Sequence, residues 1–585
     1  MQPNDHDARL LAGGAFLLEH RDAAETFTPE DFTAEQRMMA RTARSFMENE
    51  VIPLSGRIEG KDLDLLRALL RKAGELGLLM ADVPEAYGGL GLDKATSALI
   101  AENLSGQASF QITALVQTGI GSLPLVYYGT EAQKRRYLPG LGDGSLLGCY
   151  ALTEPTAGSD ALAIRTRAVP SPDGRSYRLT GTKQFITNAR IADVLTVFAK
   201  VDGRHFTAFL VDRGAPGLTF GPDERKMGLH GATTCGVHLD DVVVPADNVL
   251  GEVGRGHKIA FNILNIGRFK LGAVAVGAAK RALEQALAYA LERRQFGRPI
   301  AEFGAIREKL GEMYARIWSA EAAVYRTVGL IDALVARGGD DHGEGELRSI
   351  EEYAIECALV KVLGTETLDF VADEAVQCLG GYGYCAEYPV EAYYRDSRIN
   401  RIYEGTNEIN RILAPTLLKR RAGAGELPLE RRIAEVRAAL GRGEGPVPGM
   451  AEGPLAGERR LVEGLKALAL LVLGAGWDAG DQAVDLRIAD LALLALQAES
   501  AVLRAEKAVR ANGEARAAIP LAAARLTVEQ AVRWAASLAE ETLVHLGDRE
   551  ALAGLPGILR RDPADTLALR EEIAGWLVER ERVDL

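Results

Sequence analysis

Cysteine is scarce in this chain, five in 585 residues: Cys149, Cys235, Cys357, Cys378 and Cys385. They are odd in number, scattered and never in C-x-x-C spacing. That excludes a disulfide framework and a cysteine zinc site, and reads as reduced thiols in a reducing compartment. The eight histidines form no H-x-H or H-x-x-x-H pair, so no metal is assigned. Basic excess is lacking too, with a net charge of −13. Such a field repels nucleic acid and anionic membranes, so neither is an expected partner, and any membrane association is expected to be weak. No run approaches the roughly 20 apolar residues that a bilayer-crossing helix needs. The longest in the tail, IADLALLAL at 488–496, carries Asp490. The opening MQPNDHDARLLAGG holds acids where a secretory or mitochondrial presequence would be basic. The expected location is a bacterial-type cytoplasm.

Several nucleotide and nucleophile signatures are also missing. No G-x-G-x-x-G follows a strand pattern, and no G-x-x-x-x-G-K-[ST] occurs. The nearest approach, GLGDGS at 140–145, has Ser145 where the last glycine should be. A Rossmann dinucleotide site and a P-loop are therefore not expected, nor is a G-x-S-x-G serine elbow.

What is present is a long chain of ordinary globular composition, 47% hydrophobic and 25% charged. Its length predicts three or four domains. Residues 1–147 read as a helical domain. A capping box at Thr33 and Gln36 opens a helix with Met39, Ala43, Phe46 and Met47 at helical spacing, ended by Pro53. Leu66, Leu69, Leu70 and Ala73 mark the next helix, and PEAYGGLGLD is a loop. Residues 148–250 change character. SYRLTGTKQFITN, DVLTVFAKV, HFTAFLVDR and TTCGVHLDDVVVP are short, rich in Val, Thr and aromatics, and read as strands of an antiparallel β domain. Residues 251–420 return to helix, beginning with one or two long helices loosened by glycines and including a turn at RGGDDHGEGE. Residues 421–458 are Gly/Pro-rich and linker-like. Residues 459–585 form a helical tail, with Leu461, Leu465, Leu468 and Val472 on one face and Val528, Ala531, Val532, Ala535 and Leu538 on another.

Two stretches stand out chemically. CYALTEPTAGSDA at 149–161 packs Thr, Glu, Pro, Gly, Ser and Asp into one loop. Small residues admit a flat ligand to the backbone, and hydroxyls and N–H groups can bond to it. The same composition also suits an ordinary domain-crossing loop. GTKQFITN at 181–188 puts Phe185 and Thr187 on one strand face. An aromatic and a hydroxyl together suit an isoalloxazine ring, although a half-buried strand looks the same.

Together these stretches resemble the acyl-CoA dehydrogenase family over residues 30–415. Ala151, Leu152, Thr153, Glu154, Ala157, Gly158, Ser159, Asp160 and Ala163 match its first signature, and QCLGGYGYCAE at 377–387 resembles its second. RIYEGTNEI at 401–409 resembles the segment that carries the family's catalytic glutamate, here Glu404. LGEVGRGHKIA and RRQFGRPI are family phrases as well. The tail and NILNIGRFKLG resemble the very-long-chain branch and its bacterial relatives. The resemblance implies a mainly α fold: an N-terminal helical domain, a small barrel-like β domain and a four-helix bundle, here followed by an extra C-terminal helical domain. It implies FAD, a fatty acyl-CoA thioester substrate and electron-transferring flavoprotein as the electron acceptor.

By the same resemblance, Tyr150, Leu152, Thr153, Gly158 and Ser159 contact the flavin, with Phe185, Ile186 and Thr187 covering and bonding its ring. Arg293, Gln295, Phe296, Phe303 and Gly304 are similar to positions that reach the FAD diphosphate and adenosine across a homodimer. Gln377, Gly380, Gly381, Thr406 and Glu408 complete the cofactor set. Ser159, Asn265, Arg268 and Gly405 match substrate or CoA contacts. Glu404 is expected to remove the α-proton while the β-hydrogen leaves as hydride to flavin N5. Three departures are visible: Phe185 replaces the usual Trp, Ala392 replaces a Lys or Arg of the second signature, and Gly267 occupies the place where some relatives carry their base. Acyl-CoA oxidases, which use O2, and a non-catalytic assembly-factor relative share parts of this pattern. The tail is expected to pack on the bundle in place of a second dimer pair.

Overall fold

The computed structural model describes residues 12–338, 343–442 and 452–583. Two compact units emerge. The first holds Thr33–Ala278 and Val335–Glu351; the second holds the described parts of Met1–Phe32, Ala279–Leu334 and Glu352–Leu585.

The first unit opens as expected. Thr33 Oγ1 accepts from Gln36 N at 3.1 Å, and Gln36 Oε1 accepts from Thr33 N at 2.9 Å, starting helix Ala34–Phe46. This pairing satisfies two N–H groups that a helix start otherwise leaves open. The stop near Pro53 is made in steps, a π turn at Met47–Val51 and a 3-10 turn at Ile52–Leu54. The proline ring clashes with the carbonyl four residues back, so the regular ladder gives way before it. Helix Leu63–Glu75 buries Leu66, Leu69, Leu70 and Ala73 as its spacing predicts.

Eight strands follow: β1 (Gly148–Ala151), β2 (Arg167–Pro170), β3 (Ser176–Thr187), β4 (Val194–Val201), β5 (His205–Asp212), β6 (Leu218–Asp223), β7 (Thr234–Pro245) and β8 (Val249–Leu250). They form one sheet ordered β6-β7-β3-β2-β4-β5-β8, with β1 also beside β4. The expected antiparallel domain is corrected here. β1 and β2 both run parallel to β4, so the sheet is mixed. Alternating residues mark a strand without marking its direction. Direction follows from the connections, and a parallel pair needs a crossover rather than a tight turn. Seven of the eight residues of β4 are buried, which suits a strand at the sheet's centre.

The long apolar stretch is one helix, Gly256–Glu292. By length and composition it could cross a bilayer, which corrects the expectation that no segment could. However, 83% of its most apolar window is buried, as in the core helix of a folded domain. Gly277 on this helix is there for close packing. A Cβ added to it would lie 2.0 Å from the Glu102 carbonyl oxygen. Gly277→Ala must push helix Lys94–Asn103 away, so we expect a loss of about 1–3 kcal/mol, typical of an overpacked core, read as a lower denaturant midpoint. An unchanged midpoint would mean that the helices separate freely there.

The second unit is helical apart from a small hairpin, Arg294–Gln295 with Arg298–Pro299. Its main helices include Gly304–Gly338 as far as Leu334, Ala354–Leu379 and Asn407–Gly423, and in the tail Ala456–Ala475, Gln482–Asn512, Ala518–Leu546 and Thr566–Arg580. The expected linker at 421–458 is corrected in part. Helix Leu429–Gly441 lies inside it and buries Leu429, Ile433 and Val436, while 443–451 lies outside the described residues. Glycines and a proline flank this helix on both sides and dominate the local composition. The tail faces pack as their spacing implies: Leu465, Leu468, Val472, Val528, Ala531, Val532 and Ala535 are buried, while Leu461 and Leu538 are only partly so.

Candidate functional site

In the first unit the loop after β1 is tied to β3 by a buried ion pair. Glu154 accepts from Lys183 Nζ at 2.7 Å and from Arg165 N and Thr166 N at 2.5 and 3.0 Å. Lys183 also donates to the Leu152 carbonyl at 3.2 Å, and Gln184 N donates to the Thr153 carbonyl at 2.9 Å. Lys183 is wholly buried. Burial pulls its ammonium down to about 8, with Glu154 opposing. Burial also disfavours charge on Glu154, but Lys183 and the N–H donors outweigh it and hold the carboxyl below its ordinary range. The pair thereby fixes the signature loop against the strand that carries Phe185. Lys183 escaped the sequence reading, although a lysine at an inward strand position is a visible signal.

Phe185 sits at a β-bulge, between shifted registers at Lys183 and Ile186, with φ +58°. A bulky residue in this region is strained, by roughly 1–3 kcal/mol, and such strain concentrates at functional sites. Its ring is 58% exposed, while Ile186 is buried. Thr187 Oγ1 lies 3.5 Å from Thr234 Oγ1. Within the loop, Thr153, Gly158 and Ser159 are accessible and Gly158 has open space around it. Tyr150 and Leu152 are buried. The Tyr150 ring packs edge-on to Phe198 and its hydroxyl faces the Ala260 carbonyl at 3.4 Å, so that side chain is taken up by packing. Asn265 and Arg268 are both buried and meet directly, Arg268 Nη1 donating to Asn265 Oδ1 at 2.6 Å.

In the second unit Glu404 stands in a turn before helix Asn407–Gly423, with φ +57°, followed by Gly405 at +79°. A glutamate in the left-handed region costs roughly 1–2 kcal/mol. Glycine takes this conformation freely, so the pair turns the chain sharply with one strained residue instead of two. Thr406 Oγ1 caps the helix by accepting from Ile409 N at 3.2 Å, and Glu408 lies in its first turn. Tyr403 is held protonated far above its ordinary range by burial and by the Glu404 and Asp396 charges.

Elsewhere in that unit, Arg293, Gln295, Gly380 and Gly381 line a cleft of about 430 Å³ with Tyr289, Tyr382 and Cys385. Arg293 lies 5.4 Å from the Tyr382 ring centre. Gln377 is exposed on the last turn of the helix that leads into Gly380. Phe296 projects from the hairpin tip, φ +51° and 93% exposed, with Phe303 edge-on at 6.0 Å and Gly304 beginning the next helix. Nine non-glycine residues among those described take positive φ, and Phe185, Phe296 and Glu404 are the three of them singled out by motif.

Comparison with known proteins places this geometry. Three family models match in order: the acyl-CoA dehydrogenase N-terminal domain at 33–145, the middle domain at 149–242 and the C-terminal domain at 254–415. A "Probable acyl-CoA dehydrogenase" of Bacillus subtilis is 46% identical over 588 residues, covering 98% of this chain and 99% of its own. The human very long-chain specific acyl-CoA dehydrogenase is 40% identical over 348 residues, 58% of this chain and 51% of its own. The crystal structure of an acyl-CoA dehydrogenase complexed with FAD from Bacillus anthracis superposes with TM-score 0.95 at 44% identity, covering 98% of this chain and all of that one. From its N-terminal helices through its tail, this chain belongs to the acyl-CoA dehydrogenase family of oxidoreductases.

Proposed function

We propose that this protein dehydrogenates a long-chain fatty acyl-CoA at its α,β bond, giving the trans-2-enoyl-CoA, with Glu404 as the base. The observation that carries the reading is the strained turn at Glu404, one turn before the capped helix Asn407–Gly423. A carboxylate of ordinary pKa, about 4.3, is a poor base for a thioester α-proton. Desolvation of Glu404 by bound acyl chain raises its proton affinity, and N–H donors to the thioester carbonyl lower the barrier further.

The residues present fit FAD. Phe185 offers an exposed aromatic face beside the Thr187 hydroxyl, and Gly158 and Ser159 leave the loop backbone open. Arg293, Gln295, Gly380 and Gly381 offer a cationic, glycine-walled cleft suited to a diphosphate and its nucleoside. When bound, FAD supplies the two-electron acceptor for the β-hydrogen. The chain's own residues remove the α-proton, at Glu404, and hold the acyl-CoA, at Ser159, Asn265, Arg268 and Gly405.

Likeness to very long-chain relatives supports a long acyl chain, and family membership together with likeness to an electron transferring flavoprotein structure supports electron-transferring flavoprotein as acceptor; a homodimer in a bacterial-type cytoplasm is part of the same proposal. The test is the visible spectrum of the purified protein, taken anaerobically before and after palmitoyl-CoA. Bleaching of a yellow flavin band is expected. A yellow protein that does not bleach would overturn the substrate class, and a colourless one that cannot be reconstituted with FAD would overturn the enzyme reading. Reoxidation by O2 as fast as by electron-transferring flavoprotein would make it an oxidase.

A further inference from the structure

We propose that Lys361 is a positioning residue for the proton-abstracting turn, acting on Glu404 through the carbonyl of Gly405. The inference rests on the reading of Glu404 as the base. Lys361 lies in helix Ala354–Leu379, amid the apolar run CALVKVLG, and is wholly buried. An ammonium is expensive to bury, so its partners deserve an account. Lys361 Nζ donates to Gly405 O at 2.8 Å and to Asn407 Oδ1 at 2.8 Å. One side chain thus grips the residue after Glu404 and the first residue of the following helix.

The grip is doubled from the other side. Asn410, also wholly buried, turns its Nδ2 toward three successive carbonyls: Gly405 at 2.8 Å, Thr406 at 3.1 Å and, more distantly, Glu404 at 3.4 Å. The Gly405 carbonyl therefore receives two donors. Asn407 in turn donates to Glu366 Oε1 at 3.0 Å and to Thr365 Oγ1 at 3.2 Å, on the helix that carries Lys361. Three residues of one rigid helix, Lys361, Thr365 and Glu366, thereby hold the turn.

This arrangement explains how Glu404 keeps a left-handed conformation that glutamate seldom adopts. If the Gly405 peptide could rotate, Glu404 would relax and its carboxylate would move. A misplacement of about 1 Å can cost a reaction on the order of 100-fold. Lys361 does not touch the reacting atoms in this account. It fixes the peptide from which the base projects.

The test compares full-length holoenzyme with Lys361→Met and with Asn410→Ala, which loosens the same carbonyls from the opposite side. Flavin bleaching by palmitoyl-CoA should slow by roughly 10- to 100-fold at saturation, with affinity for palmitoyl-CoA changed less than about 3-fold. The α-deuterium isotope effect on bleaching should rise, because proton removal becomes the slow step. Amide hydrogen exchange in the 399–410 segment should quicken while the β domain is unchanged. A variant whose rate and affinity fall together, with the isotope effect unmoved, would overturn the positioning role. If the wild type itself does not bleach, the proposed substrate class fails and the rate comparison with it. Hydrogen exchange then decides the grip separately: unchanged exchange at 399–410 in Lys361→Met overturns it, and faster exchange supports it. If Lys361→Met does not fold, Asn410→Ala decides by the same measurements.

Discussion

Glu404→Gln is expected to leave a yellow, folded protein that binds palmitoyl-CoA and does not bleach. The substitution keeps the side chain's size and its carbonyl oxygen, but replaces the charged, proton-accepting oxygen with a neutral NH2 donor. Glu404 is partly exposed, in a turn whose backbone is held by Lys361 and Asn410. The amide therefore has little reason to disturb the fold, and thermal stability should match the wild type closely. The rate of bleaching should fall by about 10⁴-fold, the upper end of what a general base contributes. The position where some relatives carry their base is Gly267 here, which has no side chain to take a proton. Stopped-flow absorbance of the flavin band, with and without excess palmitoyl-CoA, reads binding and reduction separately. Loss of less than about 10-fold would remove Glu404 from the base role, since a merely orienting hydrogen bond contributes on that scale.

How much of this site can be read from the chain depends on how local each cause is. The Thr33 capping box and the leucine stripe at 66–70 are local, and both appear in the structure as the sequence reading has them. The direction of β1 and β2 against β4 is not local, and the alternation of apolar residues is silent about it. Helix Leu429–Gly441 has apolar residues at helical spacing, yet the glycines and proline around it outweigh them in any composition window. The site residues come from motif resemblance, not from periodicity. Phe185 shows why: aromatic residues rarely take positive φ, so a strand pattern hides the bulge that displays its ring. Lys183 and Lys361 were missed for another reason. Each is a single charge in a buried element, and its meaning lies with a partner far along the chain, Glu154 for one and Gly405 for the other. A lone lysine in an apolar run is the trace that such a partner leaves in sequence.

The second large effect concerns how the tail is held. Glu499, on helix Gln482–Asn512, is 1% exposed and receives Arg326 Nη2 at 2.7 Å and Lys466 Nζ at 2.6 Å. Arg326 belongs to helix Gly304–Gly338 and Lys466 to helix Ala456–Ala475, so one carboxylate joins two tail helices to the bundle. Burial opposes its charge, but the two cations prevail and hold its carboxyl down to about 2, against an ordinary 4.5. Removing it leaves Lys466 with Glu463 at 3.0 Å, but leaves Arg326 with the Ser500 hydroxyl at 3.3 Å in place of a carboxylate. Breaking a buried pair from one side costs about 3–5 kcal/mol, and we expect Glu499→Gln to lose that much at pH 7. The sign of the pH dependence follows from a folded pKa below the unfolded one. The stabilisation is complete above about pH 4.5 and is lost as pH falls toward 2, a difference of about 3 kcal/mol over that window. The wild type and Glu499→Gln should therefore converge in acid. Denaturant midpoints at pH 7 and near pH 3, followed by tryptophan emission, test this, because Trp318 and Trp576 lie in the same unit as the pair. A gap that stays constant down to pH 3 would show that packing, and not the charge on Glu499, secures the tail. A gap that closes would show that the tail is held to the bundle by a buried charge that hydrophobic burial alone does not replace.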